Sequence, residues 1–245
     1  MQLKRTADRK TANLANVKGN APLIKNAFSL PSGKAFSCPG ATSVCETVCY
    51  AGKLERQYPG VRNLVLHNWE LLRNATLAEM IELLSNMIGD FVSDCEKKNA
   101  PKVFRWHADG DIFSATYAEA IELTCQDFPD VQFWIYTRSF EYVGFIYGIP
   151  NLSVYLSVDD ENKEAAIETA KEYPSVRMAY LSDSFDKGKE FMLAETGKSG
   201  AICPENAKRI PLITENGGAC LSCGLCVFGK ADIRFSSKVS KRRRS

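Results

Sequence analysis

Near the C-terminus Cys203 is followed by Pro204, and after a 16-residue excursion come Cys220, Cys223 and Cys226 in a C-x-x-C-x-x-C run. Four soft sulfur ligands within 24 residues read as a metal site. A disulfide cluster would need an oxidising compartment, of which the chain carries no sign. Structural zinc favours two separated C-x-x-C knuckles or cysteines paired with histidines. Two consecutive C-x-x-C spacings plus one remote Cys-Pro fit a [4Fe–4S] cube, in which each iron takes its own sulfur. Histidine is scarce, being limited to His67 and His107. Iron–sulfur is therefore the expectation and zinc the alternative.

A second group, Cys38, Cys45 and Cys49, lies in a segment with Pro39 and Gly40 and reads as a loop. Three cysteines there could hold a second cluster with one iron left open, or three quarters of a structural site. Cys95 and Cys125 stand alone among helical apolar stripes and read as core thiols.

The elements that must position these residues follow from periodicity. Residues 25–31 read as a short strand. Val61, Leu64, Val65, Trp69 and Leu72, then Leu77, Met80, Ile81, Leu84, Met87, Ile88 and Phe91, recur at helical spacing with a break near Asn74, predicting two helices. Beyond Pro101 strands and helices alternate: strand 102–107, helix 116–128, strand 131–136, strand 152–158, helix 163–173, strand 176–181 and strand 200–202. Such β–α repeats imply a parallel sheet with helical crossovers. The expected fold is α/β, a partial or complete (β/α) barrel, followed by a cysteine-ligated metal segment. The expected divisions are an N-terminal arm (1–25), barrel core (26–200), cysteine segment (201–230) and basic tail (231–245).

In parallel α/β folds the loops at the C-terminal strand ends carry ligands. Those ends are the Cys38/Cys45/Cys49 loop, the His107, Asp109, Gly110 and Asp111 stretch, Arg138 between Thr137 and Ser139, Asp159–Asp160, and Ser182–Asp183. His107, Asp109, Asp111, Arg138 and Asp159 are the candidate catalytic groups.

The 245-residue chain is 45% hydrophobic, enough for a sizeable core. Its net charge of +2 commits it to no polyanion. The basic arm and the tail, Lys238 and Lys241 to Arg244, are the segments that could meet nucleic acid. No apolar run is long enough to span a bilayer, and the N-terminus lacks a signal-peptide centre, so a cytoplasmic protein without membrane contact is expected. The sequence does not bear on oligomeric state.

The order of motifs carries a resemblance. It runs from Cys49-Tyr50-Ala51 through His107-x-x-Gly110-Asp111-x-Phe113-Ser114, Tyr136-Thr137-Arg138-Ser139 and Ser157-Val158-Asp159 to the C-terminal cysteines. From about Leu30 to Gly229 this resembles phage- and plasmid-borne proteins of the gene product 88 family, which would place the protein in a host cytoplasm. At greater distance the layout is similar to the radical S-adenosylmethionine (SAM) superfamily. That resemblance implies that Cys38, Cys45 and Cys49 hold a [4Fe–4S] cluster whose open iron chelates SAM. It also implies that His107, Asp109, Gly110 and Asp111 meet the SAM amine, that an auxiliary cluster sits on Cys203, Cys220, Cys223 and Cys226, and that an electron donor is needed. One departure stands out: the superfamily loop is C-x-x-x-C-x-x-C, whereas here six and three residues separate the cysteines.

The first functional expectation is an iron–sulfur enzyme acting on nucleic acid or nucleotides. A second is a zinc-containing, base-exchanging transglycosylase using Asp109, Asp111 and Asp159, although such zinc sites include a histidine and none follows Cys203. The third is a non-catalytic, metal-stapled nucleic-acid-binding protein.

Overall fold

The structure, a computed structural model, describes residues 1–12, 24–215 and 217–238. Strand β1 (Ala27–Ser29) leads through a turn to helices α1 (Ser43–Val48) and α2 (Tyr50–Gln57). The cysteine segment expected as a loop is thus largely helical. Two longer helices follow, α3 (Pro59–Leu72) and α4 (Leu77–Lys97). Pro59 starts α3 where a missing N–H costs nothing. Thr76 and Glu79 form a capping box that starts α4 after the break near Asn74.

Then come β2 (Val103–Asp109), α5 (Ala115–Asp127), β3 (Gln132–Thr137), α6 (Val143–Ile146), β4 (Leu152–Val158), α7 (Lys163–Glu172), β5 (Arg177–Ser182) and α8 (Phe185–Thr196). The last part holds β6 (Ala201–Ile202), a small hairpin of β7 (Ile213–Thr214) and β8 (Gly217–Gly218), α9 (Ala219–Cys223) and β9 (Ile233–Ser236). Helix α8, absent from the periodicity reading, starts at the Ser184 cap and stops at Gly197 in the left-handed region.

The main sheet has seven strands in the order β1-β2-β3-β4-β5-β9-β6, with every pairing parallel. Its first and last strands do not meet, so among the described residues the sheet is open and the complete barrel is corrected. The segment taken as the beginning of a basic tail contains β9, a strand inserted between β5 and β6. The cysteine segment is therefore the connection between two adjacent parallel strands, β6 and β9, and it crosses one face of the sheet.

Both faces are covered, by different material. Phe104, Trp106, Phe133, Ile135, Val154, Leu156, Val158, Met178 and Tyr180 face the main core, packed with Leu84, Ile88 and Phe91 of α4 and Ile121 of α5. Alternate residues point to the other side. There Val103, Trp134 and Tyr136 meet Val227 and Cys226, while Tyr155, Ala179, Ile233 and Phe235 meet Cys203 and Leu225. Period-two alternation thus gives the sheet one apolar side of aliphatic and aromatic residues and a second side that also carries Arg105, Gln132, Ser153 and Arg177.

The described part of the arm packs on the body. Thr6 bridges Ala27 at the β1 edge, Arg5 pairs with Asp94, and Lys10 with Glu205. Gly218 donates its N–H to Ala12 O, tying the arm to the cysteine segment. The rest of the arm from residue 13 to 23, and Lys241 to Arg244 of the tail, lie outside the described residues. Among the described residues no helix is long and apolar enough to cross a membrane.

Candidate functional site

Two cysteine groups belong to this second side and its upper rim. Cys203 follows β6 and continues its ladder, donating its N–H to Arg234 O of β9. Pro204 then turns the chain. Cys220 and Cys223 sit three apart on α9 and so share a face. Gly224, with φ +67°, closes the helix in the left-handed region and sends the chain back toward Cys226. All four cysteines, with Pro204, Ile210, Leu225 and Ile233, line one cavity of about 20 Å³.

The sheet grips this segment through side chains. Gln132 Nε2 and Ser153 Oγ donate to Val227 O at 2.9 and 3.0 Å. Tyr155 Oη shares its one proton between Ala231 O at 2.9 Å and Leu225 O at 3.1 Å, and Arg177 Nε donates to Gly229 O. Tyr136 Oη donates to Cys226 Sγ at 2.9 Å. Gln132, Ser153, Tyr155 and Arg177 lie outside the sequence motifs, and Tyr136, though it opens the Tyr136–Ser139 motif, carries no sign there of a sulfur contact. The signal for all five is the polar and aromatic set on alternate positions of otherwise apolar strands.

All nine cysteines are free thiols. Burial raises the pKa of Cys203, Cys220 and Cys226, the last to about 12. Thiols crowded in an apolar cavity ionise only where a positive charge stands close, and Arg105 is the cation near Cys220 and Cys226. Among the described residues no group of three or more His, Cys, Asp or Glu side chains could hold a metal ion as it lies. Four cysteines and no histidine form a donor set that either a [4Fe–4S] cluster or a tetrahedral zinc ion can take.

The N-terminal trio lies at the C-terminal ends of the strands. Thr42 caps α1 by accepting the Cys45 N–H at 3.0 Å, and Cys49 caps α2 by accepting the Gly52 N–H on its sulfur at 3.4 Å. Cys38, in the turn after β1, is pushed up to about 12 by burial and then by the charge of Asp111. Burial also raises Cys45, opposed by nearby Arg138. Arg138 Nη1 meets Asp159 Oδ2 at 2.6 Å, and the Thr42 hydroxyl donates to the same oxygen at 2.6 Å. Cys38, Cys45, Asp111, Arg138 and Asp159 are therefore gathered on one rim.

Asp111 is fully occupied within the protein. It accepts from Thr137 Oγ1 and from the N–H groups of Ile112 and Arg138, all at 2.7 Å. It ties the end of β2 to the end of β3, yet burial still lifts its pKa to about 6. Gly110 is required by the protein itself: at φ +83° a Cβ there would stand 2.5 Å from Ser37 Oγ and 2.7 Å from Leu30 Cβ.

His107 does not join this rim. Between the Ala27–Arg105 and Ser29–Asp109 pairs, β1 advances two residues and β2 four. The extra residues form a bulge with His107 at φ +57°. The bulge turns Trp106 and His107 to the same, helix-covered side. There His107 Nε2 bonds the Tyr117 hydroxyl at 2.9 Å, and burial drops its pKa to about 3. The phase shift returns Asp109 to the second side. Its Oδ1 is buried with no hydrogen-bond partner among the described residues, and burial, then the charge of Glu55, raises it to about 6. Arg105, also facing that side, bonds Asp8 at 2.5 Å and lies over the Trp134 ring at 5.0 Å.

Fold and site define an open, parallel α/β protein whose second sheet face carries a cysteine-lined cavity below a cysteine-bearing rim. The chain belongs to the family described as Gene product 88, which residues 1–229 match. It is 46% identical over 242 residues to the Gene 88 protein of Mycobacterium phage L5, spanning 96% of this chain and 98% of the relative. The Gene 88 protein of Mycobacterium phage D29 matches with the same identity and coverage. No solved structure matches.

Proposed function

We propose that this is an iron–sulfur protein on a radical-SAM-like open half-barrel, with a [4Fe–4S] cluster on Cys203, Cys220, Cys223 and Cys226. The observation that supports it is the shared cavity: two sulfurs from α9, one from the turn beyond and one from the end of β6 line one apolar space. Such a cluster supplies a one-electron store. The chain contributes its insulation and its orientation, through Gln132, Ser153, Tyr155 and Arg177 on the returning loop.

Cys38, Cys45 and Cys49 would hold a second cluster that leaves one iron without a protein sulfur, the position open to SAM. Arg138 beside Cys45 offsets the charge of a thiolate-bound cluster, and Asp159 holds Arg138 in place. An electron donor is a required partner. Nucleotides or nucleic acid are the proposed substrate class and the host cytoplasm the proposed setting, supported by the two phage relatives and the basic tail. Arg5 and Lys10 of the arm contribute less to that reading, since both are paired with the body.

Purification without oxygen tests the reading. Brown protein with about four irons and matching sulfide supports one cluster, and about eight supports two. Cys45→Ala and Cys223→Ala should each remove a different half of the iron. Release of 5′-deoxyadenosine on adding SAM and dithionite would assign the rim its chemistry. A colourless protein containing zinc overturns the proposal.

A further inference from the structure

We infer that the Tyr136 hydroxyl sets the reduction potential of the group bound by the C-terminal cysteines, by donating a hydrogen bond to Cys226 Sγ. This rests on the cluster reading above and adds a role for a residue outside every cysteine motif.

The contact is direct and over-determined. Tyr136 Oη lies 2.9 Å from Cys226 Sγ. Its ring is enclosed by Trp134 at 5.4 Å, Tyr155 at 5.3 Å, Phe235 at 6.4 Å and the Arg105 guanidinium at 5.9 Å. A ring boxed in on these sides has little freedom to turn its hydroxyl elsewhere. Tyr155, its register partner on β4, divides the labour. Tyr155 Oη bonds two backbone carbonyls of the same loop, at Leu225 and Ala231, and shapes it. Tyr136 alone of the pair addresses a sulfur.

A hydrogen bond to a ligating sulfur draws off negative charge. It therefore favours the reduced form, which carries one more electron, and raises the potential. In the reaction measured, one electron from dithionite enters the cluster while the phenolic proton stays on oxygen.

The test is a redox titration of anaerobically purified full-length protein, following visible absorption and the spin signal of the reduced cluster. Tyr136→Phe keeps the ring and removes the donor; its midpoint should move to more negative potential at unchanged iron content. Tyr155→Phe, whose lost hydroxyl makes no hydrogen bond to a sulfur, should lose iron faster and titrate at the wild-type potential. Should Tyr136→Phe fail to hold iron, 3-fluorotyrosine placed at position 136 keeps the size and strengthens the donor, and the midpoint should then rise. An unmoved midpoint in Tyr136→Phe or the fluorotyrosine protein overturns the inference, as does an equal shift in Tyr155→Phe. Absence of iron in the wild-type protein overturns the cluster reading beneath it, a different failure with a different signature.

Discussion

Arg138 and Asp159, from the ends of neighbouring strands, form an ion pair of 2.6 Å with side chains only 11% and 1% exposed. Thr42 joins it from the cap of α1, and Ser43 donates to the Glu161 carboxylate, so two carboxylates beyond β4 fasten the Cys45 helix to the sheet.

Arg138→Ala should therefore cost about 3–5 kcal/mol in urea unfolding, because Asp159 is left charged and buried. Thr42→Ala, which removes a cap and one hydrogen bond to Asp159, should cost about 1–2 kcal/mol. The two losses should not add, since both act on the same oxygen. Additive losses would show that the junction is not a unit.

Asp109 predicts a gain. Its folded pKa is raised from 3.8 to about 6, so the folded state holds a proton that the unfolded chain has released between those values. Stability from this group is complete below pH 3.8 and lost as pH rises through 6. Asp109→Asn should stabilise the protein by roughly 2–3 kcal/mol at pH 7, and the gain should vanish below pH 4. A carboxylate kept at this cost is a candidate for chemistry rather than for support. Unfolding midpoints of the two proteins between pH 4 and 7.5 check the prediction.

His107 carries the opposite sign. Its folded pKa is lowered from 6.5 to about 3, so its contribution is complete above pH 6.5 and drains away as pH falls toward 3. His107→Asn, which tolerates the left-handed backbone, should be less stable than wild type at pH 7. That deficit should shrink by roughly 2 kcal/mol by pH 5, because the variant has no imidazole for the unfolded chain to protonate. A deficit independent of pH would mean that the folded protein takes up the imidazole proton as readily as the unfolded chain does.

His107 also shows where the sequence stops speaking. The alternation of β2, β3, β4 and β5 was legible in runs such as Val131 to Tyr136, and β4 was located to the residue. Equal spacing would put Arg105, His107 and Asp109 on one face. The bulge removes His107 from that set, and nothing in Arg-Trp-His-Ala-Asp announces it. The strand at Ile233–Ser236 was hidden for another reason. Four residues including Arg234 and one serine, next to a basic run, carry too little apolar signal alone. They are a strand because β5 and β6 offer them a slot. The C-terminal cysteines were legible as a group through spacing alone, whereas Tyr136 belongs with them only through the sheet.

Asp8 is the last test, because it joins the arm to the floor of the site. Its carboxylate pairs with Arg105 at 2.5 Å, both side chains 11% exposed, and also accepts the Lys10 N–H at 2.8 Å. Arg105 lies over Trp134 and Tyr136, so the charge that Asp8 neutralises stands beside the cysteine segment. Asp8→Ala should cost about 3–5 kcal/mol and speed hydrogen exchange at Gly218 and Ala219, which pack on residues 10–12. The loss arises from an orphaned cation rather than from missing attraction. Replacing both partners, Asp8→Leu with Arg105→Met, should therefore recover most of the stability. If the double variant is as unstable as the single one, Arg105 supports the second sheet face by packing on Trp134 and Tyr136, and the ion pair is secondary.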